Sequence, residues 1–155
     1  MTRHPELFSG LSDADATALE DCGSRITLEP GHVLFRIGDD ASQLYVIERG
    51  VIELRMPMQI EGRDENVRIE ECLAGHTLGW STLVPPHRFT LEATARGQTD
   101  LLAFPRDVLL SHFSQRPDVG YVVLRNIAAV LGQRLQVFQA MWVRQMQHIV
   151  DLAHG

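Results

Sequence analysis

Cysteine is nearly missing from this chain: Cys22 and Cys72 are the only two, and they lie far apart. Two thiols so spaced do not make a disulfide framework. Positive charge is in deficit, with 14 basic against 20 acidic side chains and a net charge of -6. A nucleic-acid-binding surface would normally be basic, so this balance argues against one. No apolar run reaches the roughly 18 residues of a membrane span. The N-terminus, MTRHPELFSG, lacks the apolar centre of a signal peptide, and the expected compartment is the cytoplasm. The H-E-x-x-H, G-x-S-x-G, Walker-loop and C-x-x-C-H patterns are also missing, so no enzyme is expected.

What remains is the composition of an ordinary globular domain. The 155 residues are 45% hydrophobic and 22% charged, enough apolar mass for one core. Residues 5–21 carry Leu7, Phe8, Leu11, Ala14, Ala18 and Leu19 at helical spacing. Ser12 followed by Asp13 and Asp15 reads as an N-cap with acids in the first turn. From Ser24 the period becomes two. Short strands are predicted at 25–28, 33–35, 44–47, 51–54, 67–73, 89–95 and 99–104, with glycine or proline turns between most of them. Glu48-Arg49-Gly50 reads as the corner of a compact hairpin, and the polar segment between Met56 and Asn66 as a solvent loop. Seven or eight short strands at regular spacing suggest a sandwich or barrel.

The chemistry concentrates between Ala74 and Ala95, AGHTLGWSTLVPPHRFTLEATA. Gly79-Trp80-Ser81-Thr82 starts a short helix whose N–H groups and dipole favour an anion. Pro85-Pro86 stops it within about two turns. His87-Arg88 then returns positive charge, and a planar guanidinium suits a phosphate.

These residues resemble the phosphate-binding cassette of the cyclic-nucleotide-binding domain superfamily, known from bacterial catabolite-activator and FNR-type regulators, of the form G-E-[small/apolar]…R-[S/T]-A. Two further family patterns agree. P-G-x-x-[LIV]-[FY]-x-x-G-[DE] fits Pro30 to Asp39, PGHVLFRIGD, position for position. [LF]-Y-x-[IVL]-x-x-G-x-[IVL] fits Leu44 to Ile52, LYVIERGVI. The resemblance covers roughly residues 24–139. It implies a mainly β fold with flanking helices: a double-stranded β-helix, or jelly-roll-like β-roll, followed by a long C-terminal dimerisation helix. The whole of 1–155 is then one domain: an N-terminal helical segment 1–23, the roll 24–104 with its cassette at 74–95, and C-terminal helices 105–155.

The implied ligand-binding residues are Gly79, Trp80, Ser81, Thr82, His87, Arg88, Phe89, Thr90, Arg134 and Phe138. Either His87 or Arg88 would face the phosphate. Two departures stand out. The family's glutamate, which holds the ribose 2′-hydroxyl, is replaced by Trp80, which accepts no hydrogen bond and is either a lid over the cavity or a plug filling it. The family segment R-L-x-x-[T/S]-[S] reads the purine with a hydroxyl. Here Arg134-Leu135 match, but Phe138 stands at the hydroxyl position. Losing both readers argues for a changed ligand or none.

From Pro105 the period is helical again, and Pro117-Asp118 opens one helix to about residue 150. Leu124, Ala128, Leu131, Leu135, Phe138 and Trp142 step by threes and fours along a coiled-coil seam, with Leu124, Leu131, Leu135, Phe138 and Trp142 as the expected dimer contacts. At about 1.5 Å per residue this helix is near 50 Å long, more than so small a roll can cover. A second copy is therefore the expected partner, making a homodimer. In the transcription-factor branch a helix-turn-helix follows, but no DNA-reading element is expected within this chain, which ends at Gly155. The reading is a non-enzymatic ligand sensor that signals to a separate, unidentified protein partner. Its ligand would be a cyclic nucleotide or another phosphate-containing molecule. The alternatives are a ligand-free dimeric interaction protein or a haem-based sensor using His76, His87, His112, His148 or Cys72.

Overall fold

The computed structural model describes residues 5–154, so residues 1–4 of the expected N-terminal segment, and Gly155, lie outside the described residues. Eight strands form two four-stranded antiparallel sheets. One has the order β1 (Ser24–Leu28), β8 (Thr99–Pro105), β3 (Gln43–Arg49), β6 (Thr77–Leu78). The other runs β2 (Val33–Phe35), β7 (Glu92–Ala95), β4 (Ile52–Ile60), β5 (Arg63–Cys72). Helices α1 (Asp13–Glu20), α2 (Arg106–Gln115) and α3 (Pro117–His154) flank the roll. This is the mainly β, β-roll architecture with a long C-terminal helix that the sequence predicts.

Strands β3 and β8 explain how one sheet serves two cores. Leu44 and Val46 of β3, with Leu102 and Phe104 of β8, point outward to a cluster with Leu7, Phe8, Leu19, Leu109, Val119, Val123 and Ile127. Ile47 and Leu101 point the other way, into a roll interior with Phe35, Ile52, Leu54, Leu78, Phe89 and Leu91. Successive side chains in a strand alternate faces, so a sheet covered on both sides needs the unbroken apolar runs LYVI and LLAF. Phe8 meets Phe104 of β8 edge to face with ring centroids 6.0 Å apart, fixing the N-terminal segment to that sheet.

Several local expectations are corrected. Residues 5–21 form a short 3₁₀ turn at Glu6–Phe8 and then α1, broken at Gly10 with φ +91°. Ser12 caps α1 as expected, its hydroxyl accepting from the Asp15 N–H at 3.1 Å. Segment 56–66 is not a loop: past a register shift at Leu54/Arg55, β4 and β5 pair regularly from Arg55↔Arg68 to Ile60↔Arg63. Glu61 and Gly62, at φ +52° and +75°, make the two-residue turn, the combination a type I′ hairpin requires. Beyond Arg55 this ribbon no longer pairs with β7. With no core behind most of it, it has little reason to alternate apolar and polar residues. Strands β3 and β4 do not form a hairpin either, since they belong to different sheets. Gly50 carries the chain between them, and a Cβ there would lie 2.7 Å from the Gln98 carbonyl. Pro105 ends β8 and caps α2 instead of opening it.

The 38 residues of α3 extend to His154, about 57 Å at 1.5 Å per residue. Its fully buried residues stop at Val130. At the junction with α2, Arg116 pairs with Asp15 at 3.0 Å and Asp118 at 2.9 Å. The hydrogen bond from Arg116 holds the Asp118 carboxyl below its ordinary range.

Candidate ligand site

The cassette turns on Gly79, whose φ of +78° lies in the left-handed region that favours glycine. A Cβ at Gly79 would come within 3.1 Å of the Gln43 carbonyl and 3.2 Å of the Phe89 ring. The helix that follows is a single 3₁₀ turn, Trp80–Thr82, not the two-turn helix expected. Thr82 donates its hydroxyl proton to the Gln43 carbonyl at 2.7 Å, tying the turn to β3. His87 Nδ1 lies 3.1 Å from the Ser81 carbonyl, which requires the proton on Nδ1.

Arg88 does not turn inward. Its guanidinium sits on the exposed 38–40 turn, 3.1 Å from Asp40 Oδ1 and 3.1 Å from the Gly38 carbonyl. The reason lies in the next residue. The backbone of Phe89 pairs with this turn in both directions, its N–H donating to Asp39 O at 3.0 Å and its carbonyl accepting from Gly38 N–H at 2.9 Å. Phe89 enters the roll and stacks on Phe35, ring centroids 3.7 Å apart and planes 8° from parallel. Tyr45 continues the stack at 6.3 Å. Consecutive residues in extended backbone face opposite ways, so with Phe89 inside, Arg88 is outside.

The space left beside the cassette is about 10 Å³, bounded by Phe35, Leu54, Gly79, Trp80, Ser81, Phe89, Thr90, Leu91 and Arg134. That is room for about one water. The plug is the Phe35–Phe89 pair. Trp80 is only partly buried and packs on the helix-side cluster, neither lidding nor chiefly filling the cavity. Ser81 is buried, Thr90 is exposed at the rim, and Phe138 packs from α3 against the roll interior.

Arg134 is the one expected basic residue that reaches this region. Its side chain is 10% exposed, with Nη2 3.2 Å from Glu70 Oε2, while its buried Nε has no partner. It also borders a larger cavity of about 470 Å³ between α3 and the β5–β6 wall, lined by Glu6, Glu70, Cys72, His76, Thr77, Val130, Gln133, Gln136, Val137 and Ala140. Glu6 Oε1 accepts from the Thr77 N–H at 2.8 Å, and Thr77 Oγ1 is buried without a partner. Burial, reinforced by the nearby Glu70 carboxylate, pushes the Cys72 thiol up to about 12, so it stays protonated near neutral pH. Glu70 and Thr77 escaped the sequence reading. A signal existed: Glu70 stands two residues before Cys72 in one strand, a charged residue on the face of a buried one.

Among the described residues, the histidines named above do not gather. His76 Nδ1 accepts from the Leu73 N–H at 2.9 Å, and His112 Nδ1 lies 3.8 Å from Cys22 Sγ. His148 is exposed on α3. Among the described residues, no three His, Cys, Asp or Glu side chains form a group that could hold a metal ion. No helix among them is long and apolar enough to cross a membrane.

Of the seam residues, Leu124, Leu135 and Trp142 are 49%, 58% and 65% exposed. Leu131 and Phe138 are half-buried against their own chain, on the helix-side and roll clusters respectively.

Known proteins agree with this architecture. The N-terminal domain of a transcriptional regulator from Streptomyces coelicolor is 29% identical, with a TM-score of 0.69 over 83% of this chain and 89% of that one. The catabolite activator protein of Thermus thermophilus is 24% identical with a TM-score of 0.71, over 96% of this chain and 63% of that one. The c-di-GMP-responsive global regulator CLP of Xanthomonas campestris is 20% identical with a TM-score of 0.74, over 92% and 71%. No curated protein matches the sequence. The model of the cyclic nucleotide-binding domain matches residues 25–116, the roll and α2 together, and the chain belongs to that family.

Proposed function

We propose that this chain is a non-enzymatic regulatory module of the cyclic nucleotide-binding fold that no longer recognises cyclic nucleotides. It works in the cytoplasm as a homodimer and signals through α3 to a separate protein partner. The Phe35–Phe89 stack carries the first half of this reading. It occupies the space beside the cassette, leaving about 10 Å³, while Arg88 is committed to Asp40 outside the roll. Trp80 and Phe138 supply neither the carboxylate nor the hydroxyl that reads ribose and base in relatives.

The outer face of α3 supports the dimer. Tyr121, Leu135, Trp142 and Ile149 are all exposed and fall seven or fourteen residues apart, the repeat of a left-handed coiled coil. A two-fold pairing would bury the same stripe on both copies. A ligand-free dimeric scaffold is the second reading, favoured by the filled cassette. The polar cavity beside Arg134 favours the first. Titration calorimetry with cyclic AMP and cyclic GMP tests the loss of recognition. No saturable heat is expected, and low-micromolar affinity for either nucleotide would sink the reading.

A further inference from the structure

The cavity of about 470 Å³ between α3 and the β5–β6 wall lies within the volume range of small-molecule sites. It is distinct from the filled space beside the cassette: among the described residues, Arg134 alone borders both. Its chemistry is mixed in a particular way. Glu6 and Glu70 bring two carboxylates against one guanidinium, that of Arg134. A phosphate dianion placed there would meet more negative charge than positive, and like charges brought together out of water repel strongly. A purely cationic ligand would pair with Glu6 but leave Arg134 Nε and Thr77 Oγ1 without partners. A molecule carrying both signs satisfies both walls.

Two polar atoms on lining residues lack partners. Arg134 Nε is buried and unpaired, although Nη2 of the same group is held by Glu70 at 3.2 Å. Thr77 is 1% exposed, and its Oγ1 also has no partner. Buried polar groups in native proteins are nearly always satisfied. A guanidinium edge matches a carboxylate, and a threonine hydroxyl can donate to the same group or accept from an ammonium. Glu6 spends one oxygen on the Thr77 N–H at 2.8 Å, leaving lone pairs for an N–H donor. Val130 and Val137, one heptad apart on α3, supply an apolar side to the same space.

We propose that this cavity binds a small zwitterion of the α-amino-acid class, its carboxylate on Arg134 and Thr77, its ammonium on Glu6, and an aliphatic side chain against Val130 and Val137. The assignment rests on the reading of the chain as a ligand-responsive module, and supplies the ligand class. Such a ligand would bridge the roll to α3 at the residue that already links them, Arg134.

The test is calorimetry on the full chain with L-leucine, inorganic phosphate and cyclic AMP as probes. Saturable binding of L-leucine is expected, with no heat from the other two. Thr77→Val and Glu6→Gln, both close in shape to the native residue, should each weaken L-leucine at least about tenfold while the thermal midpoint in the absence of amino acid holds. Either variant suffices if the other fails to fold. Absence of L-leucine binding, its displacement by phosphate or cyclic AMP, or unchanged affinity in a folded variant would overturn the assignment. Light scattering separates this from the broader reading. A dimer that ignores L-leucine removes only the ligand class, whereas a monomer that binds it removes the dimeric module and leaves the site.

Discussion

Phe35 and Phe89 lie face to face in the roll with centroids 3.7 Å apart, and both are 6% exposed. An aromatic pair so placed is core, not vestibule. Phe89→Ala should therefore cost about 3–5 kcal/mol of folding stability, the usual loss for a buried phenylalanine. Urea denaturation with an unchanged slope would measure it. A loss below about 1 kcal/mol would mean that the ring can leave its position cheaply, and that the space beside the cassette opens on demand.

Arg88 provides the contrast. It pairs with Asp40 at 3.1 Å, both side chains being more than half exposed. Solvent-exposed pairs of this kind contribute about 0–1 kcal/mol. Arg88→Ala should leave the denaturation midpoint nearly unmoved and should not change the binding of any ligand. A ligand lost on this substitution would restore Arg88 to the phosphate role that its place in the cassette suggests.

Cys72 predicts an alkaline weakness. Burial first, and then Glu70, raise its thiol from 9.0 to about 12, so the folded chain holds this proton more tightly than the unfolded one. The stability linked to it is fully present below about pH 9 and is lost as pH climbs toward 12. All fourteen basic residues are arginine, so no lysine titrates in this window. Tyr45 and Cys22 are raised in the same direction by burial, and both remain in the Cys72 variant. Thermal melts between about pH 8 and pH 11 should fall more steeply in wild type than in Cys72→Ala. Parallel slopes would show that the thiol is solvated.

How much of this could be read beforehand depends on what each residue's neighbours decide. The short strands followed from turn glycines and short apolar runs, which are local, and the roll from the family resemblance that those glycine patterns carry. Ser12 as a cap was equally local, and correct. The β4–β5 ribbon was hidden because a hairpin largely without a core behind it lacks the alternation that marks a strand. Its one signal was Gly62, a residue that takes a left-handed turn position without strain. The direction of Arg88 was hidden for a different reason. One residue of register decides which of Arg88 and Phe89 enters the roll, and that register is set by hydrogen bonds to Gly38 and Asp39, some fifty positions away. Arg134 was named from its place in a motif, but its partner Glu70 lies on another element.

The stripe on α3 gives the last prediction. Leu135→Asp with Trp142→Asp changes two side chains that are 58% and 65% exposed on the single chain. Folding should survive, because neither side chain belongs to either buried cluster. Light scattering at tens of micromolar, about the range where a stable homodimer persists, should report a dimer for wild type and a monomer for the double variant. A wild-type monomer would leave α3 without the second copy proposed for it.

The length of α3 beyond Val130 has a mechanical meaning. From Val130, its last buried residue, to His154 the helix runs 24 positions, a rigid arm of about 36 Å. Arg134, tied to Glu70, sits near the fulcrum. A tilt of about 10° there would swing the far end by about 6 Å, far more than the movement at the pivot itself. A change in the Arg134–Glu70 contact that tilted the helix would thereby be converted from an angle into a displacement large enough for another protein to detect.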